Sequence, residues 1–194
     1  MNILTDNLPQ KIKIKNTIYN INFDYKTIIN ILLAFEDTEL TRSEQTYIML
    51  KNLYIEEIPK EDTQEAIEKA IKFIDGGKIE EVDNLNQKEK RIYSFKKDGN
   101  YIFSGISQTH NIDLSEKNNL HWWVFLSFFM DMSPNCTFGE LVYYRKRKNE
   151  NKLTKEEKEH YKKIKKLVDL DYKDEESIKA RKEFFQELKK FNRK

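Results

Sequence analysis

Hydrophobic and polar positions change period once along this chain, dividing a short alternating segment from a long helical remainder. Residues 11–23 alternate: Lys11-Ile12-Lys13-Ile14-Lys15, a turn at Asn16-Thr17, then Ile18-Tyr19-Asn20-Ile21-Asn22-Phe23. A period of two predicts a β-hairpin with isoleucines on one face and lysines or asparagines on the other. An isolated hairpin is marginal in water, so it is expected to lie on the helices. From Asp24 onward the apolar spacing is helical. Asp24 caps a helix to about Glu36 whose stripe is Ile28, Ile31, Leu32 and Phe35. Thr41-Arg42-Ser43-Glu44 is a capping box for a second helix carrying Tyr47, Leu50, Leu53 and Tyr54. Beyond Pro59, Asp62 and Glu65 start a third helix that buries Ile67, Ala70, Ile71 and Ile74. Asp75-Gly76-Gly77 ends it, because glycine takes the left-handed cap conformation without steric cost.

Residues 78–90 hold only Ile79, Val82 and Leu85 as apolar positions and predict a mobile connection or a short, poorly packed helix. A fourth helix is expected from about Asp98 to His110, with Tyr101, Ile102, Ile106 and Phe103 inward. Gly105 inside it predicts a close helix approach, since glycine there costs about 1 kcal/mol relative to alanine. A central helix is expected from about Glu116 to Met132, stopped by Ser133-Pro134-Asn135. It contains His121-Trp122-Trp123-Val124-Phe125-Leu126-Ser127-Phe128-Phe129-Met130, the densest apolar stretch of the chain. A helix apolar around most of its circumference belongs in a core contacted from several sides. The competing use of such a stretch is an aromatic surface that grips a partner.

Thr137, with Glu140 three residues on, predicts the next cap, and Leu141, Tyr143 and Tyr144 continue that helix past Arg145. Thr154-Lys155-Glu156-Glu157 opens a basic helix with a narrow stripe of Tyr161, Ile164, Leu167 and Val168. A last helix, about Asp174 to Phe191, offers Ile178, Phe184, Phe185, Leu188 and Phe191. The expected fold is mainly α: a compact helical domain with a short N-terminal β-hairpin, residues 1–150, and a charged helical C-terminal extension, residues 151–194. Five glycines and three prolines in 194 residues agree, being too few for a sandwich or barrel of many tight turns.

Charge refines this division. The chain as a whole is near balance at +2, so no overall field argues for nucleic acid. Residues 145–194 carry 19 basic and 11 acidic side chains, a net of +8, which leaves −6 on the first 144. Two parts of opposite sign have surfaces to offer each other. Arg145-Lys146-Arg147-Lys148, with Lys162-Lys163, Lys165-Lys166 and the nearby Tyr143, Tyr144 and Tyr161, could track a phosphate backbone and stack on bases. Glu150, Glu156, Glu157 and Glu159 dilute the same region, and interleaved acid and base on a helix ordinarily make a solvated, salt-bridged face.

Catalytic chemistry is not legible. His110, His121 and His160 are far apart and stand in no metal-ligand spacing with Cys136. Gly76-Gly77 lacks the Lys-Ser/Thr of a phosphate loop, and there is no nucleophile elbow. No catalytic, metal or cofactor-binding set is expected, and a binding role is expected instead of an enzymatic one. The single cysteine excludes a disulfide framework, and neither a signal-peptide pattern nor a membrane-spanning run is present, so a cytoplasmic protein without membrane attachment is expected.

Leu120-His121-Trp122-Trp123-Val124-Phe125 resembles the Leu-His-Trp-Trp-x-Phe core of the phage gene-product-fifteen family, encoded in the tail-gene clusters of phages and prophages of Gram-positive bacteria. The likeness spreads along the chain. It includes Asn2-Ile3-Leu4-Thr5-Asp6 with Leu8-Pro9, Phe73-Ile74-Asp75-Gly76-Gly77, and Tyr93-Ser94-Phe95 with Asp98 and Tyr101-Ile102. Ile112-Asp113-Leu114, Phe138-Gly139-Glu140-Leu141, Tyr144-Arg145 and Tyr161-Lys162-Lys163 follow in the family's order; after about Leu170 no particular likeness remains. The resemblance implies a tail-assembly chaperone that binds the tape-measure protein, helps recruit tail-tube subunits such as the major tail protein, and is absent from finished virions. His121, Trp122, Trp123 and Phe125 are then the motif core. The stripes Tyr161, Ile164, Val168 and Phe184, Leu188, Phe191 are the candidate partner-binding residues, because a narrow stripe on a charged helix buries little by itself. The alternatives are a structural tail component, or a nucleic-acid-binding helical protein that uses the basic C-terminal part.

Overall fold

The computed structural model describes residues 3–77 and 92–170. The connection expected at 78–90 and the last helix expected from Asp174 to Phe191 lie outside the described residues. In chain order the elements are β1 (Lys11–Ile14), β2 (Thr17–Asn20), α1 (Tyr25–Glu36), α2 (Arg42–Leu53), a single 3-10 turn (Lys60–Asp62) and α3 (Thr63–Ile74). After residue 91 come α4 (Phe95–His110), α5 (Trp122–Met130), α6 (Thr137–Asn149) and α7 (Lys155–Val168). The fold is mainly α, with one two-stranded antiparallel hairpin.

The hairpin pairs Ile12 with Tyr19 and Ile14 with Thr17. Its turn is Lys15-Asn16, one residue earlier than alternation predicts, with Lys15 at φ 49°. Ile12, Ile14, Tyr19 and Ile21 are buried against the helices, as the alternation requires. Ile18 breaks the one-face reading: it stands opposite Lys13 and points outward, 61% exposed. Beyond β2, Ile21 bridges Tyr54, Asn22 N donates to Leu53 O (2.7 Å) and Ile55 N donates to Asn20 O (3.0 Å). Residues 53–55 therefore add a short third edge to the hairpin.

α1 and α2 carry the caps that their sequences announce. Asp24 accepts from Lys26 N, and Thr41 with Glu44 forms both halves of a capping box. The buried row of α2 is Gln45, Met49 and Leu53, while Tyr47 is 66% exposed and Leu50 only partly covered. The expected stripe was displaced because one member of the true row is polar. Gln45 is buried with its amide donating to Asp37 O at 3.2 Å, so a count of apolar letters passes over it.

α4 begins at Phe95, three residues before its expected start, because Ser94 caps it by accepting from Lys97 N (3.2 Å). Ile102, Gly105 and Ile106 are inward, whereas Phe103 is 42% exposed and does not join the core. The close approach at Gly105 is present: a Cβ there would lie 3.0 Å from Met132 Sδ and 3.1 Å from Cys136 Sγ.

The central helix is shorter than expected. α5 has nine residues, since the segment before it spends its backbone groups elsewhere. Leu120 O accepts from Tyr25 N (3.0 Å), Trp122 N donates to Phe23 O (2.7 Å), and Asn119 adopts φ 58°. Residues 23–25 and 120–122 are thus tied side by side, which holds 116–121 out of the helix. Trp122, Phe125 and Phe129 are buried, with Tyr25 stacked on Phe125 (4.8 Å between centroids) and Trp122 stacked on Phe125 (5.5 Å). Here α5 packs on α1 and α4. The cap of α6 also shifts by one: Cys136, not Thr137, is the N-cap, its Sγ accepting from Gly139 N at 3.4 Å. α7 has the full Thr154/Glu157 capping box and lies against α6.

Candidate functional site

The Trp-Trp and Gly-Gly signatures, about fifty residues apart, meet in one junction. A helix leaves its last four carbonyls without intrahelical partners. At the end of α3 two of them are taken by indoles: Trp123 Nε1 donates to Phe73 O and Trp122 Nε1 to Ile74 O, each at 2.8 Å. Gly76 and Gly77 then turn the chain at φ 72° and 79°, a region in which L side chains are strained. Space is a second constraint, because a Cβ on Gly77 would sit 2.8 Å from the Trp123 ring and one on Gly76 would sit 3.3 Å from Leu126. The tryptophans are adjacent because one must plug the core while its neighbour covers the turn.

His121 fixes the start of α5. Its Nδ1 accepts from Trp123 N (3.1 Å), so the proton of the neutral ring lies on Nε2 and is donated to Pro9 O at 3.0 Å. The ring stacks on Phe23 (5.2 Å). Burial holds its pKa below the ordinary histidine range, and the bond to the Pro9 carbonyl opposes that only in part. The folded state therefore resists a proton that the unfolded chain accepts. The stability that depends on neutral His121 is fully present above the unfolded pKa of about 6.5 and is lost as pH falls from there through the folded value. We expect the melting temperature of the wild type to drop between about pH 7 and pH 5.5 more steeply than that of His121→Gln. Parallel pH profiles for the two proteins would contradict this role.

A third constellation was not anticipated as a site. Asp98 and Arg145 form a bidentate pair, Nη1 to Oδ2 at 2.5 Å and Nη2 to Oδ1 at 2.9 Å, with side chains 0% and 3% exposed. Asp98 Oδ2 also accepts from Ser94 N (2.9 Å). Arg145 donates further to Val168 O (2.5 Å), Leu167 O (3.1 Å) and Ile92 O (3.2 Å), so all five of its N–H groups are used. The available signal was an aspartate four residues after a helix-capping serine. Arg145 was instead grouped with the basic run, and that reading is corrected: it is an internal clamp joining α4, α6 and the end of α7. Within the same run Arg147 pairs with Glu157 (3.0 Å) and Lys148 with Asp169 (2.6 Å).

Of the candidate partner-binding residues, Tyr161 and Ile164 are partly buried against Leu141 and Tyr144 of α6, and Val168 is fully buried there. Val168 is therefore covered from within the chain. Phe184, Leu188 and Phe191 lie outside the described residues. Among the described residues no group of three or more His, Cys, Asp or Glu side chains could hold a metal ion, and no helix is long and apolar enough to cross a membrane. A shallow hollow of about 470 Å³ is lined by Phe103, Ser107, Asn111, Ile112 and Asp113, where the Asp113 carboxylate is held by Ser115 N and Oγ (2.8 and 2.6 Å).

A model of the family described as bacteriophage Gp15 protein matches residues 4–170. The chain belongs to that family. The Gp15 match takes in the hairpin, all seven described helices, the Trp/Gly junction and the Asp98–Arg145 clamp, and it ends where the sequence likeness was seen to end. No curated protein and no solved structure matches the chain. Of the candidate partner-binding residues, Phe184, Leu188 and Phe191 fall past the Gp15 match.

Proposed function

We propose that this bacteriophage-family protein is a tail-assembly chaperone, which binds the tape-measure protein in the host cytoplasm, helps recruit the major tail protein and carries out no reaction of its own. The observation that supports this most is the family match over residues 4–170, joined to the resemblance's implication that such genes lie in phage tail clusters. A tape-measure chain is long, helical and apolar in stripes, and bare stripes aggregate; a helical protein can cover them with its own apolar positions. Tyr47, Phe103, Met130 and Leu167 are such positions, exposed on α2, α4, α5 and α7. The accessible parts of Tyr161 and Ile164 extend that supply, and the apolar spacing of Phe184, Leu188 and Phe191 in the sequence offers further candidates. The nucleic-acid alternative draws less support, since Arg145, Arg147 and Lys148 are engaged within the chain.

Co-expression with its cognate tape-measure protein is expected to raise the soluble fraction of that protein and give a co-purifying complex. Mass spectrometry of purified particles is expected to lack this chain. A stoichiometric virion component with no effect on tape-measure solubility would be a structural tail protein, and the chaperone reading would fall.

A further inference from the structure

α4 buries Phe95, Asp98, Ile102, Gly105 and Ile106, and its opposite face is free of charge along most of its length. In a chain with 35% charged residues, positions 99–112 contain no aspartate, glutamate, lysine or arginine. Helical spacing puts Asn100, Phe103, Ser104, Ser107 and Asn111 on that outer face, with Gln108 at its margin, and all but the half-buried Ser107 are exposed. α7, by contrast, turns lysines and glutamates outward. The hollow of about 470 Å³ beside Phe103 and Ile112 lies at the C-terminal end of the α4 face and has room for a side chain. Ser107, on its wall, has the one shielded side-chain polar atom without a hydrogen-bond partner among the described residues, its Oγ. A mid-helix serine ordinarily bonds back to the carbonyl four residues earlier or points into water, and this one does neither. The two ends of the face carry opposite charges: Lys96 is exposed at the start of α4 and Asp113 just past its end, about 24 Å away along the helix.

We propose that the outer face of α4 seats one helix of the tape-measure protein, antiparallel to α4, with a side chain of that helix in the hollow between Phe103 and Ile112; this rests on the chaperone reading above. The end charges choose the direction. A helix N-terminus is favoured beside an anion and a C-terminus beside a cation, so the bound helix starts at Asp113 and ends at Lys96. The uncharged stretch between them matches an apolar stripe, whereas the same stripe laid on the lysines of α7 would strip water from them without pairing them. Phe103, 42% exposed, is the anchor, and the small side chains of Ser104 and Ser107 beside it let the bound helix approach closely. A polar group entering the hollow gives the Ser107 hydroxyl its missing partner.

The test is co-expression of full-chain variants with the cognate tape-measure protein. Phe103→Ala and Asn100→Glu are each expected to lower the yield of co-purified tape-measure protein about tenfold or more, while Tyr47→Ala on α2 and Leu167→Ala on α7 change it less than about twofold. All four positions are exposed, and thermal melts by circular dichroism should match wild type. A photo-crosslinker on Asn100→Cys or on Gln108→Cys avoids the buried Cys136. The two should reach tape-measure sites about eight residues apart, the Gln108 site being the more N-terminal. Full co-purification by Phe103→Ala and Asn100→Glu overturns the proposal and leaves the chaperone reading standing, as do cross-links that are absent, in reverse order, or made to a second copy of this chain. A wild-type chain that forms no complex with the tape-measure protein defeats the chaperone reading, and the α4 seat with it.

Discussion

Trp122→Ala is expected to remove about 3–5 kcal/mol of stability, the range for deleting a large buried aromatic, from a total of about 5–15 kcal/mol. Trp122 is 1% exposed, stacks on Phe125 and is bonded through Nε1 to Ile74 O, so the change empties the centre of the core and uncaps α3 together. Trp122→Phe separates these effects. It keeps most of the packing and strands only the carbonyl, for a loss of about 1–3 kcal/mol. Trp123→Ala should fall below Trp122→Ala, since Trp123 is only partly buried. Urea unfolding of the three variants measures the order. A Trp122→Ala protein within about 0.5 kcal/mol of wild type would contradict the assignment of this residue to the core.

The second large effect is expected at the buried ion pair. Arg145→Ala leaves Asp98 charged, buried and without its partner, and such a break costs about 3–5 kcal/mol. Arg145→Lys should recover little of this, because an ammonium has three donors and cannot reproduce the planar fork that serves one carboxylate and three carbonyls. Replacing both partners, Asp98→Leu with Arg145→Met, removes the unpaired charge and should be markedly more stable than Arg145→Ala alone. A double variant no better than the single one would show that the packing around the guanidinium, not the charge, decides the loss.

Much of the fold is legible in the chain because its signals are local. Asp24, Thr41/Glu44 and Thr154/Glu157 announce helix starts within four residues, and all three are observed. The misreadings share a cause. The start of α5 is set by hydrogen bonds to residues 23–25, about a hundred positions away, and the buried row of α2 includes a glutamine satisfied by the Asp37 carbonyl of the preceding connection. Helix periodicity contains neither partner. In the sequence Cys136 was weighed only for disulfide and metal chemistry, yet it caps a helix, a role for which serine or threonine is the familiar sign. The motif residues His121, Trp122, Trp123 and Phe125 were found by resemblance. Their work at the α3 turn became visible only once Phe73, Ile74 and Gly77 lay beside them.

Arg145 also determines where this polypeptide can be cut. Two of its five hydrogen bonds end on carbonyls of Leu167 and Val168, at the last turn of α7. A fragment stopping at Glu150 would retain the guanidinium but lose those acceptors, and would open Leu141 and Tyr144 to water. A fragment stopping at Leu170 keeps the whole cluster. For a protease probing the native chain, α7 is therefore fastened from the inside by a residue of the preceding helix, and nicks between α6 and α7 should leave the two pieces held together until denaturant is added.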